Sequence, residues 1–104
     1  MNSRDKGKRG ELELAEELRK YGVTARRTQQ FCGAAGDSDV IVPEWPNLHI
    51  ECKRRERLNI DEAMEQAIRD GKDKTPVVMH RRNRGRWLVT MTLPDFIKTQ
   101  TPTA

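Results

Sequence analysis

No stretch of these 104 residues is apolar for long enough to cross a membrane, and the opening residues carry no signal-peptide pattern. Cysteine is scarce. Cys32 and Cys52 are the only two, too far apart for a CxxC metal site. The missing secretion signal argues against a disulfide framework, so both are expected as reduced thiols in a cytoplasmic protein, Cys52 as a small buried hydrophobe. Internal repeats and linker-like segments are absent as well. That leaves one domain over residues 1–104, with residues 1–5 and about 99–104 expected as disordered tails.

Charge is what the chain has in quantity. Charged residues make up 35 % of it, as do hydrophobic ones. The apolar residues are clustered, which argues against wholesale disorder. Twenty Lys+Arg stand against 16 Asp+Glu, a net charge of +4. That excess permits a polyanionic partner without requiring one, so placement matters more than the total. The cations gather in three places: Arg4, Lys6, Lys8 and Arg9; Arg26 and Arg27; and the run from His80 to Arg86, where Arg81, Arg82, Arg84 and Arg86 stand with no acid among them. A basic hairpin tip can track a DNA backbone, because the guanidinium fork matches phosphate. A merely solvated turn is the plainer alternative.

The hydrophobic pattern predicts the order α-β-β-β-α-β-β-α. A helix is expected from about Lys8 to Tyr21, with Leu14, Ala15, Leu18 and Tyr21 at helical spacing and Gly22 at its end. Strands follow over Val23 to Thr28, Ser38 to Val42 and Leu48 to Lys53, the first two separated by a small-residue loop over Cys32 to Gly36. A second helix is expected from about Ile60 to Asp70, capped by Asn59 or Asp61, with Met64, Ala67 and Ile68 on one face and Gly71 ending it. Pro76 to His80 and Arg86 to Met91 read as strands around a turn, and Thr92 caps a short helix over Leu93 to Lys98.

The chemistry concentrates between Gly36 and Lys53. Side chains alternate along a strand, so Glu51 and Lys53 share one face about 7 Å apart, while Leu48, Ile50 and Cys52 point into a core. Asp37 and Asp39 open the preceding strand, and a hairpin pairing would bring Asp39 near Glu51. Two carboxylates suit Mg²⁺, a hard cation that binds through one or two carboxylates plus phosphate. Such an ion polarises a phosphodiester and acidifies water. Lysine ordinarily titrates near about 10.4, so an electrostatic or water-positioning role is expected of Lys53. The E-x-K triplet alone is more simply a salt-bridged, solvated strand face. The acidic stretch ahead of it makes the metal-binding reading its equal.

Taken in order, these motifs resemble the PD-(D/E)XK nuclease superfamily, and within it the archaeal-type Holliday junction resolvases and their phage-encoded relatives. The resemblance runs from Lys6-Gly7 through Glu11, Glu13 and Leu14, by Tyr21-Gly22-Val23 to Arg27, through Asp39-Val40-Ile41 and Ile50-Glu51-Cys52-Lys53, to Pro76-Val77-Val78 and Trp87-Leu88-Val89. It implies an α/β fold with a restriction-endonuclease-like core, a central mixed β-sheet flanked by helices. It implies that Asp39 and Glu51 bind Mg²⁺ (Mn²⁺ substituting), that Glu11 supports that site, that Lys53 assists attack on phosphate, and that Arg27 contacts DNA phosphate. Two features depart from the family: Ser38 stands where a proline usually precedes the aspartate, and Leu12 where an arginine often follows the first glutamate. Asp37 competes with Asp39, which is preferred because the apolar strand begins directly after it.

The expected activity is therefore a Mg²⁺-dependent endonuclease cutting branched or duplex DNA, foremost a Holliday junction resolvase working as a homodimer, in the host cytoplasm if phage-encoded. The alternatives are a less selective structure-specific or nicking nuclease, a catalytically silent DNA-binding module of the same fold, and a phage structural or assembly protein. Lys8, Arg9, Arg26, Arg27, Arg81, Arg82, Arg84 and Arg86 are the expected DNA contacts. Glu13, Glu16 and Glu17 are expected at the surface, Gln66 faces either the site or solvent, and neither His49 nor His80 receives a metal or catalytic role.

Overall fold

The computed structural model describes residues 3–28 and 38–100, with side chains from residue 7 onward. Cys32, the Cys32 to Gly36 loop, Asp37 and residues 101–104 lie outside the described residues. The elements are α1 (Ser3–Arg19), β1 (Arg26–Arg27), β2 (Val40–Ile41), β3 (Leu48–Arg54), α2 (Ile60–Gly71), β4 (Thr75–Arg81), β5 (Leu88–Thr90) and α3 (Leu93–Gln100). Their order is the expected one, and several ends differ. Residues 3–5 and 99–100, assigned above to tails, are helical. At the other end α1 stops at Arg19. Gly22 turns the chain at φ +94°, a conformation that suits glycine, and its N–H donates to Arg19 O at 3.0 Å. Tyr21 consequently falls beyond the helix and is 77 % exposed rather than on the core stripe.

β3 and β4 run parallel, with Glu51 opposite Val78 and Arg54 opposite Arg81, and α2 makes the crossover that a parallel pair requires. β5 returns antiparallel to β4, and β1 pairs antiparallel with β2. The second and third strands do not pair as a hairpin ladder. One backbone bond instead ties the start of β2 to β3, from Asp39 N to Ile50 O at 2.8 Å, while Thr28 N donates to Asp39 O at 3.1 Å. Asp39 is thus stitched between β1 and β3.

Two apolar layers sandwich this sheet. On one face Leu14 and Ala15 of α1 pack with Val40, Val42, Ile50, Val77 and Met79. On the other, Ala63 and Ala67 of α2 pack with Val78. The buried stripe of α2 is Ala63, Ala67 and Gly71, so Ile68, expected on the inner face, is exposed instead. Small residues at this spacing let the helix approach the sheet closely. Asn59 is the cap, accepting from Glu62 N at 3.1 Å, and the left-handed residue after the helix is Lys72, not Gly71. In α3, Thr92 and Asp95 cap one another: the Thr92 hydroxyl donates to Asp95 Oδ2 at 2.9 Å and accepts from Asp95 N at 3.4 Å. No helix among the described residues is long and apolar enough to cross a membrane.

Close approach also dictates Gly10, where α1 crosses β3. A Cβ there would sit 2.7 Å from Arg54 Cβ, an atom fixed to the strand backbone. Gly10→Ala gains about 1 kcal/mol in helix propensity, but overpacking costs about 1–3 kcal/mol. The variant is expected to unfold at lower urea concentration than wild type, with an unchanged m-value.

Candidate active site

Alternation along β3 sorts its side chains between the two helices. Cys52 and Arg54 lie under α1 near Gly10, whereas His49 meets Gly71 of α2 and Lys53 meets Gln66 of α2. Glu51, between His49 and Lys53 on that face, is 2 % exposed. Beside it opens a cleft of about 400 Å³, lined by Glu11, Asp39, Glu51, Lys53 and Gln66 among others. The structure therefore brings together all four residues expected to be catalytic, from α1, β3 and the approach to β2.

Two short bonds hold Asp39: its N–H donates to Ile50 O, and its Oδ2 accepts from Cys52 N at 2.8 Å. Its pKa is pushed up to about 8, first by burial and then by the negative charge of Glu51. The Cys52 N–H works against this and does not overcome it. Burial, with Asp39 beside it, also holds the Cys52 thiol well above its usual range, so it stays a neutral thiol. Cys52 is half-buried and packs against the α1-side core, close to the expected small hydrophobe.

Glu51 finds its partner in a residue assigned no role from sequence. His49 Nε2 lies 2.8 Å from Glu51 Oε1, and His49 Nδ1 lies 3.2 Å from Ser38 Oγ. Ser38 Oγ also accepts from Ile50 N at 3.2 Å. Period-two alternation alone could have marked His49, two residues before Glu51 on the same face. No local pattern marks Ser38, which arrives from the far side of a loop.

Lys53 donates to Gln66 Oε1 at 3.1 Å. Gln66 thus faces the site, and no ion pair between Glu51 and Lys53 forms among the described residues, so the plain salt-bridged strand edge is not what the chain builds. Glu11 reaches the cleft from α1 and accepts from Arg27 Nε at 2.8 Å. Burial raises the Glu11 pKa, outweighing the lowering by Arg27.

No three His, Cys, Asp or Glu side chains among the described residues converge tightly enough to cage an ion by themselves. Asp39 and Glu51 form a pair, with Glu11 at the rim. Cys52 N holds Asp39 Oδ2, His49 holds Glu51 Oε1, and the two carboxyls also bond one another. A pair of carboxylates in an open cleft is a donor set for a hard cation that keeps waters and shares a phosphate, not for a fully protein-enclosed ion.

The basic residues divide. Lys8, Arg9, Arg26, Arg82, Arg84 and Arg86 are exposed. Arg81 is not part of a free basic tip: it is half-buried, ion-paired through Nη1 to Glu13, and donates from Nε to Gly85 O at 2.8 Å. Arg54 donates to the same Glu13 oxygen at 3.0 Å. Parallel pairing sets Arg54 directly opposite Arg81. Like charges so placed repel, and the single Glu13 carboxylate, shared between them, offsets that repulsion. Glu13, expected among the surface charges, is therefore a structural acid. His80, expected to have no role in the site, bonds Thr90 Oγ1 at 2.8 Å, with its pKa lowered by burial.

Comparison with known proteins accords with this geometry. A search of curated proteins finds no match. Among solved structures the chain is similar to Hjc of Archaeoglobus fulgidus, described as a Holliday junction resolvase from an archaeal hyperthermophile. The two share 29 % sequence identity and a TM-score of 0.60, over 83 % of this chain and 72 % of that one. The fold is thus the PD-(D/E)XK fold, a mixed sheet flanked by helices. The family model described as "Phage putative PDDEXK endonuclease" matches residues 2–103, and the chain belongs to that family.

Proposed function

We propose that the protein is a Mg²⁺-dependent DNA endonuclease acting on branched DNA as a Holliday junction resolvase. The observation that carries this reading is the cleft itself: Asp39 and Glu51 side by side, with the Lys53 ammonium bonded to Gln66 at the same wall. Asp39 and Glu51 would hold the cation, Mn²⁺ substituting, with Glu11 supporting them from the rim. The cation would supply positive charge against the scissile phosphate and lower the pKa of water beside it. Lys53 is the group of this chain free to donate to a phosphate oxygen or to orient the attacking water. Glu11 holds Arg27 at the rim, where the half-buried guanidinium can meet a neighbouring phosphate. Lys8, Arg9, Arg26, Arg82, Arg84 and Arg86 extend the basic surface along the duplex backbone. Arg81, committed to Glu13, is left out of that set.

Paired cuts across a junction need two active sites, hence a homodimer. Exposed apolar side chains support that reading. β5 is an edge strand that exposes Leu88 and Val89, and α3 has no buried residue and exposes Leu93 (68 %) and Phe96. Exposed apolar side chains on an open sheet edge and on a helix without buried residues favour association. Sedimentation velocity at micromolar concentration is expected to give a dimer that Leu88→Glu/Phe96→Glu converts to monomers. A wild-type monomer that still makes paired cuts would refute the dimer.

The function is tested with a labelled four-way junction and a matched linear duplex, each with Mg²⁺ or EDTA. Symmetric nicks in the junction alone, dependent on Mg²⁺, are the expected result. Equal cutting of both substrates would make it a less selective nuclease. Binding without cutting in any divalent metal would overturn the catalytic reading and favour a silent DNA-binding module.

A further inference from the structure

We infer that His49 is a positioning residue for Glu51, held in one tautomer by Ser38 and given its space by Gly71; this rests on the nuclease reading above.

The hydrogen-bond chain has one arrangement that satisfies every member. Ile50 N is a backbone donor, so Ser38 Oγ accepts from it. The hydroxyl proton is then free to be donated, and the neighbouring atom is His49 Nδ1 at 3.2 Å. Nδ1 therefore accepts, and the ring proton sits on Nε2, which donates to Glu51 Oε1 at 2.8 Å. Ser38, His49 and Glu51 are all buried, so each bond is protected from competing water.

The consequence falls on Glu51. A buried carboxylate with one oxygen fixed by an imidazole N–H cannot rotate freely. With Oε1 held by the histidine, the carboxyl is fixed beside Asp39, to which it also bonds, at the wall of the cleft. Histidines that bind metals directly are oriented by a carboxylate; here the order is reversed, and a histidine orients the carboxylate. Outer partners of this kind typically change metal affinity or activity by about 10–100-fold when removed.

The backbone at α2 is cut to fit the ring. A Cβ at Gly71 would stand 3.1 Å from His49 Cβ and 3.2 Å from Cγ. Gly71 is helical, a position where alanine is otherwise the favoured small residue. Its absence of a side chain is explained by the imidazole lying against it.

Three measurements test the role. Nitrogen-15 spectra of the metal-free protein should show His49 protonated at Nε2 and not at Nδ1. Mn²⁺ titration calorimetry should show affinity falling about 10–100-fold in His49→Leu and largely restored in His49→Gln, whose amide can donate to Glu51. The single-turnover cutting rate should follow the same order, while DNA affinity in EDTA is unchanged. A ring protonated at Nδ1 would overturn the inference whatever the activity. So would His49→Leu with wild-type Mn²⁺ affinity, or His49→Leu and His49→Gln equally weakened in proportion to lost thermal stability. A wild-type protein that takes up no Mn²⁺ would sink the nuclease reading and this role with it; uptake by wild type and His49→Leu alike would sink this role alone.

Discussion

Asp39→Asn is expected to abolish cutting and at the same time to stabilise the metal-free protein at pH 8. Loss of a cation-binding carboxylate removes several kcal/mol of transition-state stabilisation, a fall of at least about 10³-fold in rate. The stability effect has the opposite sign because of where Asp39 lies. Its pKa in the fold is about 8, raised by burial and by Glu51, against about 3.9 for an unfolded aspartate. Between those values the folded state holds a proton that the unfolded state has lost. The contribution to stability is therefore full below about pH 4 and declines as pH rises through about 8. Asparagine carries no charge at any of these pH values and escapes the decline.

Scanning calorimetry in EDTA at pH 5 and pH 8 reads this directly. Wild type should melt lower at pH 8 on account of this group, and Mg²⁺ should recover the loss by binding the folded state. Asp39→Asn should show neither the pH-dependent loss nor the recovery. If Mg²⁺ raises the melting temperature of Asp39→Asn as much as that of wild type, the cation is bound elsewhere and the assignment of Asp39 fails.

Asp39, Glu51 and Lys53 were legible from sequence because strand alternation and turn chemistry are local. The E-x-K spacing put Glu51 and Lys53 on one face, and the apolar run after Asp39 placed it at the head of a strand. What was hidden depended on pairing. That Arg54 stands opposite Arg81 is a property of the β3–β4 register. Only that register turns Glu13 from a helix-surface charge into the counter-ion of two arginines and removes Arg81 from the basic tip. Likewise the stripe of α2 reads as Met64, Ala67 and Ile68 by hydrophobicity. Close packing on the sheet selects the small residues Ala63, Ala67 and Gly71 instead. The helical face that packs best is here not the most apolar one, since a bulkier stripe would hold α2 away from β3 and leave Gln66 short of Lys53.

Lys53→Ala should leave both binding steps intact and remove the chemistry. Lys53 is bonded to Gln66 and to neither carboxylate among the described residues, so it is not a scaffold for the acidic pair. Its loss should lower the single-turnover rate about 10²–10³-fold, as for other groups that stabilise charge developing in a transition state. Mn²⁺ affinity and DNA affinity in Ca²⁺ should stay within a few-fold of wild type. Lys53→Arg should recover little, because a planar guanidinium cannot place a compact charge where the ammonium stood, on a stem held by one acceptor. Gln66→Ala should cost less, about tenfold, since it deletes one hydrogen bond that aims the ammonium and leaves the charge in the cleft. In Lys53→Ala the added loss from Gln66→Ala should vanish. Additive losses in the double variant would mean that Gln66 acts on the substrate by itself, and that the bond to Lys53 does not set the rate.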